Sequence, residues 1–197
     1  IIADVTNQPV ISSDDGSSND GNVLLEDITI NSGAELTINA DASLKLVGDF
    51  TNNSGTVKLN SDNLNFASII VQGTATGNIT YNRFVNIADM AGEKWDLIGS
   101  PVDGLDINTF VSTNTTEGDA NTLATNGVQY AVGVYNNSNN DWSNYTSNGT
   151  GAGDVSAAGN FDIGKGYQMG TVSGSSQLLA FTGTIATSDQ LQAIINN

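Results

Sequence analysis

One short phrase is written three times between Ile28 and Asn82. Ser32-Gly33-Ala34-Glu35-Leu36-Thr37-Ile38-Asn39 returns as Ser54-Gly55-Thr56-Val57-Lys58-Leu59-Asn60 and again as Thr76-Gly77-Asn78-Ile79-Thr80-Tyr81-Asn82. The first residues of the copies, Ser32, Ser54 and Thr76, stand 22 positions apart. A fixed period of this length marks units that cannot bury an apolar face alone and do so by stacking on their neighbours. Within each copy apolar and polar side chains alternate, which is the period of a strand with one buried face. Glycines at 33, 48, 55, 73 and 77 sit where turns need positive φ. The Asn that closes each copy is either a turn residue or a rung of an internal Asn ladder.

A second echo, Leu44-Lys45-Leu46-Val47-Gly48 against Ile69-Ile70-Val71-Gln72-Gly73, falls at a similar place within each unit. Two or three short strands per unit predict an all-β fold that opens as a short right-handed β-solenoid (β-helix). The alternative is a meander of antiparallel hairpins in a sandwich. The expected organisation is an N-terminal strand and acidic loop over 1–22, solenoid repeats over 23–86, and a β-sandwich-like region over 87–197.

Charge and composition narrow the chemistry. Twenty-one acids against five bases give a net charge of −16, a field that repels nucleic acid and anionic lipid. With no Cys and no His, disulfides, thiolate nucleophiles, imidazole-based triads and Cys/His zinc sites are excluded. Carboxylate chemistry or binding remains. No run of about 18 apolar residues is present, so no membrane insertion is expected. The start at Ile1 without a leader reads as a mature form or an excerpt. The segment Ser12–Asn22 gathers Asp14, Asp15, Asn19 and Asp20, an oxygen-rich set suited to calcium, although it lacks EF-hand spacing.

Beyond Met90 the texture changes. Trp95-Asp96-Leu97-Ile98-Gly99-Ser100-Pro101-Val102 opens the second region, Asp106–Val111 predicts one helical turn, and Thr113–Asn126 reads as a surface loop. Gly127–Tyr135 predicts a strand with Val128, Tyr130, Val132 and Val134 on one face, followed by an Asn-rich turn carrying Trp142 and Tyr145. Trp95, Phe161, Tyr167 and Phe181 are assigned to core. Ser188–Asn197 reads as either helix or strand.

Three candidate chemistries follow. Paired carboxylates for glycoside hydrolysis need a special setting, and Asp96, the only acid beside a bulky apolar run, reads as a turn or strand-edge residue. Gly164-Lys165-Gly166-Tyr167 lacks the spacing of a phosphate loop and predicts a tight turn that lets Tyr167 pack. Tyr135, Trp142 and Tyr145 form a candidate glycan-stacking site, since aromatic rings offer flat apolar faces among hydrogen-bonding Asn and Asp. Against this, Trp142 can fold back onto the core.

The repeated phrases, with "ITYNRFV" (Ile79–Val85), "WDLIGSPV" (Trp95–Val102), "GKGYQMG" (Gly164–Gly170) and "FTGTI" (Phe181–Ile185) in this order, resemble the β-rich repeat region of large secreted, adhesin-like surface proteins of Bacteroidota exported by the type IX route. The resemblance covers roughly Val23–Thr187. It implies an extracellular or cell-surface location and further modules in the same parent chain, and it supplies no catalytic residues. The expected function is a non-enzymatic structural or adhesive module whose partners are glycans or other surface proteins. The alternative is a carbohydrate-binding module attached to a polysaccharide-degrading enzyme.

Overall fold

The computed structural model of the chain describes residues 1–3, 8–12, 22–88, 94–115 and 122–187. The chain is mostly β, with one α-helix among the described residues. The C-terminal segment that reads as helix or strand from Ser188 lies outside the described residues. Two units are distinguished: Ile1–Phe84 together with the segment that begins at Phe181, and Val85–Ala180.

In the first unit each alternating run of the sequence becomes a short strand. These are β1 (Val10–Ile11), β2 (Asn22–Leu25), β3 (Ile28–Ile30), β4 (Glu35–Ile38), β5 (Ser43–Leu46), β6 (Phe50–Asn52), β7 (Thr56–Asn60), β8 (Ser68–Val71), β9 (Ala75–Thr76) and β10 (Asn78–Phe84). Among them the pairs form between strands three apart in the chain, not between neighbours in sequence. The results are β2-β5-β8, β3-β6-β9 and β1-β4-β7-β10, and every one of these pairings is parallel. An antiparallel meander through the repeated phrase is therefore absent. Registers such as Leu36 opposite Val57 and Ile38 opposite Leu59 place like positions over like. The inward members Ile30, Leu36, Ile38, Leu44, Leu46, Phe50 and Leu59 are at most 1% exposed. Each contributes roughly 1.5–3 kcal/mol of burial before chain entropy is charged against it.

Polar side chains repeat in columns as well. Asn60 Nδ2 donates to Asn39 Oδ1 at 3.4 Å, and Asn82 Nδ2 donates to Asn60 Oδ1 at 2.9 Å. The closing Asn of each phrase is thus a rung of a ladder. A second column runs through the turns: Asp27 Oδ1 accepts from Asp49 N at 2.7 Å, and Asp49 Oδ1 accepts from Thr74 N at 2.8 Å and Thr74 Oγ1 at 2.9 Å. Gly48 makes this column possible, because a Cβ there would lie 2.1 Å from Asp27 Oδ1 and 2.8 Å from Glu26 O.

The two Thr74 hydrogen bonds hold the Asp49 carboxyl below the usual carboxylate range. A depressed folded-state pKa means that stability is present above the unfolded value and is lost as pH falls through the folded one. The charge of −16 works in the opposite direction, since mild acid relieves repulsion. The Asp49-specific part is isolated by Asp49→Asn, which keeps the acceptor but does not titrate. The expected outcome is that the parent loses more Tm than Asp49→Asn between about pH 5 and pH 2. Parallel Tm curves across that range would remove the Asp49 contribution.

The second unit contains β11 (Asp96–Gly99), α1 (Ile107–Thr115), β12 (Gln129–Asn136), β13 (Asp141–Thr146) and β14 (Gly166–Met169). Its strands form one antiparallel sheet in the order β11-β14-β12-β13. Where the sequence predicts a sandwich-like pair of sheets, the named strands of Val85–Ala180 form this single sheet among the described residues. An aromatic chain joins it to α1: Phe110 meets Phe161 edge-to-face at 5.2 Å, and Phe161 meets Tyr167 of β14 at 4.9 Å. The helix is nine residues long, not one turn, and Asp106 Oδ1 caps it by accepting from Thr109 N at 2.8 Å. The predicted surface loop Thr113–Asn126 is corrected in part, because the helix runs to Thr115, and Thr122 and Leu123 are buried.

The predicted single face of β12 also changes. A register shift between Gln129 and Gly133 interrupts the alternation, so Ala131 and Val132 are both buried while Val128 is 43% exposed. Finally β15 (Leu178–Thr184) adds a fifth strand beside β10 in the first unit's largest sheet.

Candidate functional site

The Asn-rich turn between β12 and β13 is a hairpin connection closed by Asn140 at φ 55, a left-handed conformation that Asn adopts more readily than most residues. The hairpin register sets Tyr135 directly opposite Trp142. Their rings meet edge-to-face with centroids 5.3 Å apart and planes at 68°, the arrangement that the quadrupoles of two aromatic rings favour. Tyr135 Oη donates to Asn140 Oδ1 at 2.6 Å. Both rings are exposed, Tyr135 by 42% and Trp142 by 36%, so Trp142 does not fold back onto the core.

Tyr145 departs from its expected place. It lies three positions along the strand from Trp142, and side chains an odd number apart on a strand point to opposite faces. Tyr145 is accordingly buried, and burial pushes its phenol pKa up. The three aromatics named from the sequence divide into an exposed pair at the hairpin tip and one core residue. What the tip offers is a short aromatic ridge flanked by Asn136, Asn140 and Asp141.

The other candidates take structural positions or lie outside the described residues. Asp14, Asp15, Asn19 and Asp20, the calcium set, lie outside them. Among the described residues no group of three or more acids is gathered as a metal site. Asp96, at the start of the edge strand β11, accepts from Asn86 N at 2.9 Å and from Asn86 Nδ2 at 2.8 Å. Gly164 turns the chain at φ 79, and Lys165 pairs with Asp162 at 3.1 Å and lies 5.3 Å from the Tyr167 ring centre. This is a turn that closes over a packed tyrosine.

A cleft of about 450 Å³ in the first unit has no counterpart among the sequence candidates. Asn52, Ser54, Thr56, Asn78, Thr80 and Thr182 line it. Asn52 shapes its rim by accepting from Gly55 N at 2.8 Å and donating to Asn78 O at 2.7 Å. The Thr80 and Thr182 hydroxyls hydrogen-bond at 2.8 Å. The lining is neutral, with hydroxyl and amide groups that both donate and accept. Single residues of this kind carry no motif in a sequence rich in Asn, Ser and Thr, and only the repeat places them together. Comparison with known protein families, with curated proteins and with solved structures finds no match to this chain.

Proposed function

We propose that the chain is an extracellular, non-catalytic structural and adhesive module of a large bacterial surface or secreted protein, and that Ile1–Phe84 is a short right-handed β-solenoid. The observation that carries this reading is the three-fold parallel stack with its Asn39-Asn60-Asn82 ladder. Coils that stack in register give a stiff rod whose length grows with repeat number, which suits a spacer that projects binding surfaces. Its acidic surface favours solubility over association with nucleic acid or anionic lipid. Its partners are glycans or surface proteins, alongside further modules of the same parent chain.

A second reading, a carbohydrate-binding module attached to a polysaccharide-degrading enzyme, is favoured by the exposed Tyr135–Trp142 ridge. Beads carrying the full chain test both. They are washed over mucin, chitin, cellulose and fibrinogen surfaces while release of reducing ends is followed. Retention on any of these surfaces, without sugar release, is expected. Retention on polysaccharide alone that is lost in Trp142→Ala favours the carbohydrate-binding module. Beads that behave like albumin-coated controls on every surface would refute adhesion, and sugar release would refute the non-catalytic part.

A further inference from the structure

We infer that a second, smaller cleft, within Val85–Ala180, binds one neutral pyranose ring. The cleft measures about 130 Å³ and is lined by Trp95, Tyr130, Ala88, Asn126, Gln129 and Asn144 among others, every one of them uncharged. Its size is well below the roughly 300–1,000 Å³ of pockets for drug-sized ligands, so it accommodates a single ring and not a chain. Trp95, which the sequence assigns to the core, is only half-buried, as is Tyr130.

Asn144 carries the argument. It is 8% exposed, and Gln168 Nε2 donates to its Oδ1 at 2.5 Å. That contact fixes the amide and leaves Nδ2 without a hydrogen-bond partner among the described residues, and Asn144 is one of the residues that line the cleft. That N–H is therefore open to a ligand hydroxyl at the cleft wall. The placement is specific. A Cβ at Gly133 would lie 2.4 Å from Asn144 Oδ1 and 2.5 Å from Ser143 O, so only glycine leaves room for the amide opposite it.

The rim adds to this. Asn126 Oδ1 is occupied by the N–H groups of Val128 at 3.1 Å and Gln129 at 2.8 Å, which leaves its Nδ2 as a further donor. Gln129 is exposed at the start of β12 and has an amide that donates and accepts. Aromatic rings take the C–H face of a sugar, and amides take its hydroxyls. A carboxylate or phosphate ligand would find no cation in the lining and would meet a chain of charge −16. The inference is independent of the adhesive reading and of the hairpin tip.

The chain has two tryptophans, so Trp142→Phe leaves Trp95 as the sole reporter. In that background the full chain is titrated with the methyl glycosides of glucose, galactose, mannose and N-acetylglucosamine, with methyl glucuronide as the charged control. At least one neutral glycoside is expected to change Trp95 emission saturably, with a Kd on the order of a millimolar. Asn144→Asp, which removes the donor at nearly constant shape, is expected to weaken binding tenfold or more. Gln129→Ala, an exposed substitution, is expected to weaken it about threefold with Tm unchanged. The inference is overturned if no neutral glycoside saturates by about 50 mM, or if binding is indifferent to both substitutions. It is also overturned if the glucuronide binds as tightly, or if binding seen in the parent disappears in Trp142→Phe.

Discussion

Gly77→Ala is expected to destabilise the first unit by about 4 kcal/mol, measured as the shift in urea midpoint at unchanged m-value. Two independent effects add. Gly77 has φ 88, where a residue with a Cβ costs about 1–2 kcal/mol. The new Cβ would also lie 2.3 Å from Asn52 O and 2.9 Å from Asn52 Cβ. Backbone cannot swing aside as a side-chain tip can, and overpacking of this kind costs a further 1–3 kcal/mol, roughly. Gly104→Ala supplies the control, because Gly104 has φ 74 with nothing within 4 Å of the added Cβ, and only the conformational cost applies. An effect of Gly77→Ala no larger than that of Gly104→Ala would show that the backbone relaxes around the contact. Asn52 also hydrogen-bonds Gly55 and Asn78 at the rim of the larger cleft, so displacing it alters that cleft as well as the fold.

The close contact at Gly77 explains why the repeat was readable. When like strands stack in parallel, the same residue type meets the same environment in each unit, and a turn glycine or a ladder Asn recurs at a fixed interval. Asn39, Asn60 and Asn82 show this at 21 and 22 residues of separation. The period is lost where one interval is longer. Asn22 pairs with Ser43, 21 residues on, but Ser43 pairs with Ser68, 25 residues on. The extra length lies in the turn that follows Ser61, where Asp62 Oδ1 accepts from Leu64 N and Asn65 N, and Phe66 packs under the Arg83 guanidinium at 3.8 Å. A local turn closed by its own side chain leaves the stacking intact while breaking the sequence period.

The candidate sites were less legible, for different reasons. Strand parity separates Trp142 from Tyr145, but only once Asp141–Thr146 is known to be a strand and not part of the Asn-rich turn. Asn144 looks like any other Asn. Its significance comes from Gln168 on β14 and Gly133 on β12, which the sequence places 24 and 11 positions away. The helix α1 is longer than the sequence predicts because its last turn, Ser112-Thr113-Asn114-Thr115, is composed of weak helix formers. What holds that turn is tertiary.

Asn114 is that tertiary contact, and Asn114→Ala is expected to cost about 4 kcal/mol in the second unit. The residue is 2% exposed. Its Nδ2 donates to Phe110 O at 2.8 Å and to Ala180 O at 3.1 Å, and its Oδ1 accepts from Ala180 N at 2.8 Å. One side-chain amide thus does for Ala180 what a neighbouring strand does elsewhere in a sheet. Alanine leaves the Ala180 N–H and C=O without this partner, at about 1–3 kcal/mol for each stranded group. Thr113→Ala, on the exposed side of the same helix, is expected to stay within about 0.5 kcal/mol. Asn114→Asp separates lost hydrogen bonding from lost volume, because it keeps the acceptor while setting a carboxylate beside two carbonyl oxygens. That environment raises the folded-state pKa of the new group above its unfolded value. The penalty is therefore smallest below the unfolded pKa, where the protonated acid donates in place of Nδ2, and grows as pH rises through it. The Tm deficit of Asn114→Asp against the parent is expected to shrink between pH 7 and about pH 3, while that of Asn114→Ala stays flat. A full deficit for Asn114→Ala beside little deficit for Asn114→Asp at every pH would mean that Asn114 acts by filling space and not by pairing the Ala180 backbone.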